Sequence, residues 1–138
     1  MAEVMVVVAE VMLRRWKWGE ADCCTSACDV FLRLHGVDPM KPLRGACASR
    51  EEAERVIGAY GGMLAMVERL TAAAGLVRTD APQPGDLGLT AERPEGQALC
   101  ICVSPDRWAA KTARGFAILG PAERAWALRR NPPLLGTA

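Results

Sequence analysis

Trp16-Lys-Trp-Gly-Glu-Ala-Asp-Cys-Cys-Thr-Ser-Ala-Cys-Asp-Val-Phe31 is the stretch from which the fold of this chain can be read. Two tryptophans and Gly19 lead into an Asp22-Cys23 pair, and an amphipathic run follows. Asp22 suits a helix N-cap, because its carboxylate can accept from the free backbone N–H groups two and three residues on. The spacing predicts a helix over about Cys23–Leu34, with Ala27, Val30, Phe31 and Leu34 on one face and Gly36 at the C′ position that ends it. Cys23 then falls in the first helical turn. There the unpaired N–H groups and the positive end of the helix dipole favour a thiolate over a thiol. Cysteine nucleophiles are commonly activated in this way.

Working outward, Glu3–Trp16 is apolar at nearly every position and reads as a helix with a buried face, broken by Gly19. After Gly36, residues 37–48 form a loop punctuated by Pro39, Pro42 and Gly45. Ser49 and Glu52 make a capping-box start. The helix they open carries Ala53, Val56, Ile57 and Tyr60 on one face and stops at Gly61-Gly62. Met63–Ala74 is a further helix, with Leu64, Val67, Leu70 and Ala74 as its stripe and Gly75 as its end. Beyond it, Ala81–Asp86 is turn-rich, Leu87-Gly88-Leu89 is a short strand and Thr90–Gly96 a polar loop. Ala98–Val103 is a continuous apolar run of strand length, which reads as a strand buried on both faces. Arg107–Lys111 and Gly115–Leu119 predict a hairpin. Residues 122–130 fit a helix or an edge strand equally. Residues 131–138, with Pro132, Pro133 and Gly136, read as a C-terminal tail that can order on another chain. Helices first and a small antiparallel sheet second indicate an α+β fold, with residues 1–130 as one domain.

The 138 residues are 51% hydrophobic and 24% charged, enough for one core of useful size. A net charge of +1 gives no electrostatic preference for nucleic acid. No apolar run approaches the roughly 20 residues of a membrane span. The apolar N-terminus has no basic lead and no cleavage site, so it reads as a mature element and not a signal peptide. Of the six cysteines, at 23, 24, 28, 47, 100 and 102, several are adjacent or two apart and pair poorly. Without a secretion signal, reduced thiols are expected. None of the spacings is the Cys-x-x-Cys of structural zinc sites, so no metal and no cofactor is expected.

The order of elements and two motifs resemble the NlpC-type papain-like cell-wall cysteine peptidases. Gly19-Glu-Ala-Asp22-Cys23 stands where that family starts its nucleophile helix, and Gln83-Pro84-Gly85-Asp86-Leu87 where it enters its first core strand. Ala98–Val103 takes the place of the strand that the family's base histidine opens. The likeness extends over about Trp16–Leu119 and is nearest to a divergent phage and prophage branch, whose late tryptophan Trp126 matches. The resemblance implies a phage or prophage tail-tip component, made in the bacterial cytoplasm and carried in the virion. Its partners would be other tail-tip and hub proteins and peptidoglycan.

The departures bear on activity. Near Gln97 or Ala98 the family's histidine is absent, and the polar residue that orients it, due near Trp108–Ala110, is missing as well. The chain's single histidine, His35, lies twelve residues beyond Cys23. At a rise of ~1.5 Å per residue that is about 18 Å along one helix, whereas a general base works within roughly 3 Å. Cys23 is thus the nucleophile position, either vestigial or a functional thiol, and Asp22 its cap and electrostatic neighbour. Trp16 and Trp18 either cover the core or line a sugar- or peptide-binding groove. Arg14, Arg15 and Lys17 read as a solvated face, Cys47 as the most exposed thiol, His35 as a helix-end surface residue and Asp86 as the fixing point of a turn. Two readings stand: a structural or cell-wall-binding tail-tip module with a degenerate peptidase fold, or an active peptidoglycan peptidase using Cys23.

Overall fold

The computed structural model describes residues 2–128; Arg129, Arg130 and the tail 131–138 lie outside them. Among the described residues, four α-helices precede a six-stranded antiparallel sheet, an α+β arrangement. The helices are α1 (Ala2–Met12), α2 (Cys23–His35), α3 (Arg50–Tyr60) and α4 (Met63–Ala73), with a 3₁₀ turn at Lys41–Leu43. The strands are β1 (Leu76–Arg78), β2 (Leu87–Leu89), β3 (Leu99–Ser104), β4 (Arg107–Thr112), β5 (Gly115–Leu119) and β6 (Arg124–Leu128), in the order β1-β6-β2-β3-β4-β5 across the sheet.

The helix starts follow their caps. Asp22 and Ser49 cap α2 and α3 by accepting from Thr25 and Glu52 N–H. Gly36 ends α2 in the left-handed conformation, with its N–H on the Leu32 carbonyl. The helices that form the main core present Val8 and Met12 from α1 and Val30 and Phe31 from α2. These meet Leu87, Leu89, Leu99, Ile101 and Trp126 on one face of the sheet. Each such side chain contributes roughly 1.5–3 kcal/mol on burial.

Strand β3 is buried on both faces, as its unbroken apolar run predicts. Leu99, Ile101 and Val103 face the helices, while Cys100 and Cys102 join Trp108, Ala110 and Ala125 in a second, smaller cluster. The Trp108 ring lies against Gly88, two strands away. A Cβ on Gly88 would fall 2.5 Å from the ring, so only glycine admits it.

Four features depart from the expectations or add to them. Helix α1 ends at Met12, four residues before Trp16. The cause is Lys111 on β4, 4% exposed, whose Nζ donates to the Met12 carbonyl at 2.9 Å and the Arg14 carbonyl at 2.6 Å. It also reaches the Thr112 and Gly115 carbonyls, at 3.1 and 3.4 Å. A cation at the negative end of a helix satisfies carbonyls that have no intrahelical partner. Burial and the nearby Arg14 lower the Lys111 pKa below its ordinary value. Arg14, in turn, is not simply solvated: it pairs with Asp29 at 2.8 Å.

Second, residues 124–128 are a strand, and an interior one: β6 pairs β2 on one side and β1 on the other. Third, β1 is a strand that the residue pattern did not announce; its three residues exist as a strand by pairing with Arg78↔Trp126 register. Fourth, none of α3 is fully buried. Val56, Ile57 and Tyr60 are partly buried against the main core, and Ala53, Val56 and Ile57 also line a groove.

Candidate functional site

The groove has a volume of about 770 Å³. The loop between α1 and α2 supplies Trp16 and Trp18, and the start of α2 supplies Asp22, Cys23 and Cys24. Cys47 comes from the loop before α3, Ala53, Val56 and Ile57 from α3, and Gln97 and Ala98 from the residues leading into β3. Arg50, Glu54, Glu92 and Arg93 add charge of both signs to the lining. Volumes of this order are usual for small-molecule sites.

Asp22 is the fixed point of this region. It is 7% exposed and accepts from Thr25 N–H and Thr25 Oγ1 at 2.8 Å each through Oδ1. Its Oδ2 accepts from Gly19 N–H at 2.8 Å. Asp22 N–H returns a bond to Thr25 Oγ1 at 2.9 Å, so the capping box closes with threonine where glutamate or glutamine is usual. The Lys17–Ala21 bridge completes a tight loop, on which the two indoles meet edge-on with centroids 5.2 Å apart.

Cys23 is half-buried at the first position of α2, its sulfur 3.9 Å from that of Cys24. Its pKa is lowered, chiefly because the Cys24 thiol donates to it, against the opposing effects of burial and of the Asp22 charge. Backbone hydrogen bonds from Leu99 and Cys24 act in the same lowering direction. Every other cysteine goes the opposite way. Cys24 is raised by donating to Cys23 and by burial. Burial raises Cys28, Cys47 and Cys100, and pushes Cys102 up to about 12. All six are free thiols. Cys47 is half-buried.

The signs here give a prediction. Asp22→Asn keeps an oxygen acceptor at the cap and removes a charge that opposes the thiolate. The Cys23 pKa is expected to fall further, seen as a downward shift in the pH profile of thiolate absorbance. Asp22→Ala removes the cap itself and is expected to cost about 1–2 kcal/mol in urea unfolding. An upward shift in the asparagine variant would contradict this electrostatic account.

Where the resemblance leads one to expect a base, near Gln97 and Ala98, the structure has backbone and amide contacts to Thr90. Gln97 donates from Nε2 to the Thr90 carbonyl at 3.0 Å, and Ala98 N–H to Thr90 Oγ1 at 2.9 Å. On β4, Trp108, Ala109 and Ala110 are buried apolar residues. His35 stands at the far end of α2. Its Nε2 hydrogen-bonds the Gly85 carbonyl at 2.9 Å, and its ring rests on Phe31 with centroids 4.3 Å apart. It is a half-buried tie between α2 and the turn before β2, which corrects its reading as a surface residue. Asp86 does fix that turn, accepting from Gln83 N–H at 2.8 Å.

The structure therefore gathers Trp16, Trp18, Asp22, Cys23 and Ala98 in one groove and leaves His35 outside it. Cys24 and Cys47 are further groove residues. The available signal for Cys47 was Gly19: with φ +81°, it packs so close to the Cys47 carbonyl that a Cβ would lie 1.9 Å from that oxygen. Among the described residues, no group of three or more His, Cys, Asp or Glu is arranged to hold a metal ion, and no helix is long and apolar enough to cross a membrane. Chemically the groove offers a thiol, Cys23, whose anionic form its neighbours favour, with the chain's single imidazole outside it.

A family model described as a domain of unknown function (DUF6950) matches residues 2–128. No curated protein and no solved structure matches the chain.

Proposed function

From the premise that the chain belongs to the DUF6950 family, we propose that it has an NlpC-type papain-like fold with a degenerate catalytic centre and serves as a tail-tip component of a phage or phage-like particle. Its role there is structural or cell-wall-binding. One observation carries the reading: Cys23 heads a buried helix against the start of β3, in an open groove, while Gln97 and Ala98 stand where a base would be needed. A groove that keeps its nucleophile position and its aromatic wall but has no proton shuttle suits binding better than amide hydrolysis, which must protonate a leaving amine. Trp16 and Trp18 supply the flat apolar surface against which sugar rings or peptide side chains pack. The partners are hub proteins of the tail and the peptidoglycan they meet.

The lowered pKa of Cys23 favours a second reading, an active peptidoglycan peptidase whose base comes from a neighbouring chain or a group other than histidine. Deletion of the coding sequence from the phage or prophage, followed by complementation, separates the two. Particles are expected to lose infectivity without the protein and to regain it equally with wild type and Cys23→Ala. The purified chain is expected to release no soluble fragments from peptidoglycan sacculi. Absence of the chain from purified particles would overturn the tail assignment. Sacculus digestion that disappears in Cys23→Ala would establish the peptidase instead.

A further inference from the structure

We propose that Cys23 is an S-thiolation site: it exchanges with a small peptidic disulfide that enters the groove, and it keeps the resulting mixed disulfide because its neighbour Cys24 cannot resolve it. The inference rests on the geometry of the two thiols and stands apart from the fold reading above.

The pair sits in the first turn of α2 with sulfurs 3.9 Å apart and lines a groove of about 770 Å³. The Cys24 S–H lies within hydrogen-bond reach of the Cys23 sulfur, and it and the backbone N–H groups of Leu99 and Cys24 favour the anionic form. Exchange asks nothing more of the site. The Cys23 sulfur bonds to one sulfur of the incoming disulfide, the S–S bond breaks, and its electron pair leaves on the second sulfur. The departing thiolate takes a proton from water. One disulfide is consumed and one is formed, so no oxidant or reductant is needed. A thiolate leaves without help from an acid, whereas an amine does not. The missing imidazole therefore blocks amide cleavage and leaves thiol exchange open.

Persistence follows from the chain. Adjacent Cα atoms are about 3.8 Å apart, below the roughly 4.4–6.8 Å that a disulfide spans. Closing Cys23 onto Cys24 would break the first turn of α2 and its cap. Cys28 and Cys100 are 1% and 0% exposed, out of reach of a reagent in the groove. The occupant's class is set by the lining: Arg50 and Glu54 pair with each other at 3.1 Å, while Arg93 stands with Glu92 and Glu95, so a zwitterionic peptide finds partners for both its charges there.

The test uses the reduced full chain and glutathione disulfide, with adducts located by peptide mass mapping. One glutathione is expected on Cys23, at least about tenfold faster than on Cys47, and retained after the probe is removed. Cys24→Ala is expected to slow the reaction and leave retention unchanged; Cys23→Ser is expected to lose the fast adduct. A first adduct on Cys47, an unreactive Cys23, or conversion of the adduct to an internal disulfide with Cys24 or Cys47 would each overturn the proposal. Mapping on the wild-type chain decides the matter even if a variant fails to fold.

Discussion

Trp108→Ala is expected to cost about 3–5 kcal/mol, the usual range for deleting a fully buried aromatic side chain. The residue is 1% exposed, and it is the one large member of the cluster on the sheet face away from the helices. Its buried neighbours there are Cys100, Cys102, Ala110 and Ala125. None of these can swing into the vacated space, because alanine and cysteine have no length to extend. The partly buried Leu119 opposite the ring is the one longer side chain packed there, so the cavity closes only as far as that residue moves, and cavities that collapse poorly lie at the costly end of the range. Packing is the whole of the effect, since the indole Nε1 has no hydrogen-bond partner among the described residues. Gly88→Val attacks the same contact from the other side, placing carbon where the ring lies. Urea unfolding measures both, and the melting temperature of Trp108→Ala is expected to drop by about 10 °C or more. A loss under about 1 kcal/mol would mean that the rear face is held by something other than this ring.

Gly19→Ala is expected to be nearly as damaging, for a different reason. The φ of +81° alone disfavours alanine by about 1–2 kcal/mol. The new Cβ would also lie 1.9 Å from the Cys47 carbonyl oxygen, a backbone atom that no rotamer change can move. The loop carrying Cys47 must separate from the loop carrying Trp16 and Trp18, bringing the total to about 3 kcal/mol or more. The Gly19 N–H bond to Asp22 is disturbed with it. Gly36→Ala provides the comparison: its φ is +75°, but nothing lies within 4 Å of the added carbon, so it is expected to lose only the conformational part. Alkylation then reads out the site. Cys47 should react faster in Gly19→Ala than in wild type or Gly36→Ala. Equal losses in the two glycine variants would show that the close approach of the loops contributes nothing.

What could be read from the residues was what they decide among near neighbours. The Asp22 cap, the Gly36 stop and the Ser49–Glu52 start all act within four positions of chain. The apolar run of β3 needed only its own composition to announce burial on both faces. The groove was legible in part, because Trp16, Trp18, Asp22 and Cys23 lie in one short stretch.

The rest depends on distant partners. Strand β1 is three residues long, too short to show a period, and is recognisable by its pairing with β6, about fifty positions on. The same pairing moves β6 from an edge to the interior. The apolar stripe of α3 has the helical spacing that usually means core, and periodicity cannot distinguish a core from a groove wall. His35 looked like a surface residue because Gly85, its acceptor, is fifty residues away. Lys111 reads as an ordinary strand lysine until the carbonyls of Met12 and Arg14 are found around it.

That lysine also sets an order of events in folding. Helix α1 is made before the other described elements, and eleven residues are too few to hold a stable helix alone in water. Its terminal carbonyls wait for an ammonium 97 to 99 positions later. Closing so long a loop is slow, and the β4–β5 hairpin that presents the lysine must come first. Helix α1 is therefore among the last elements to settle, although it is made before the other described elements. Until then the apolar face of Val4, Val8, Val11 and Met12 has only α2 against it and lacks the cover of the sheet. The interval between synthesis of α1 and completion of the hairpin is the period in which a nascent chain of this protein is most open to capture by a chaperone or by another copy of itself.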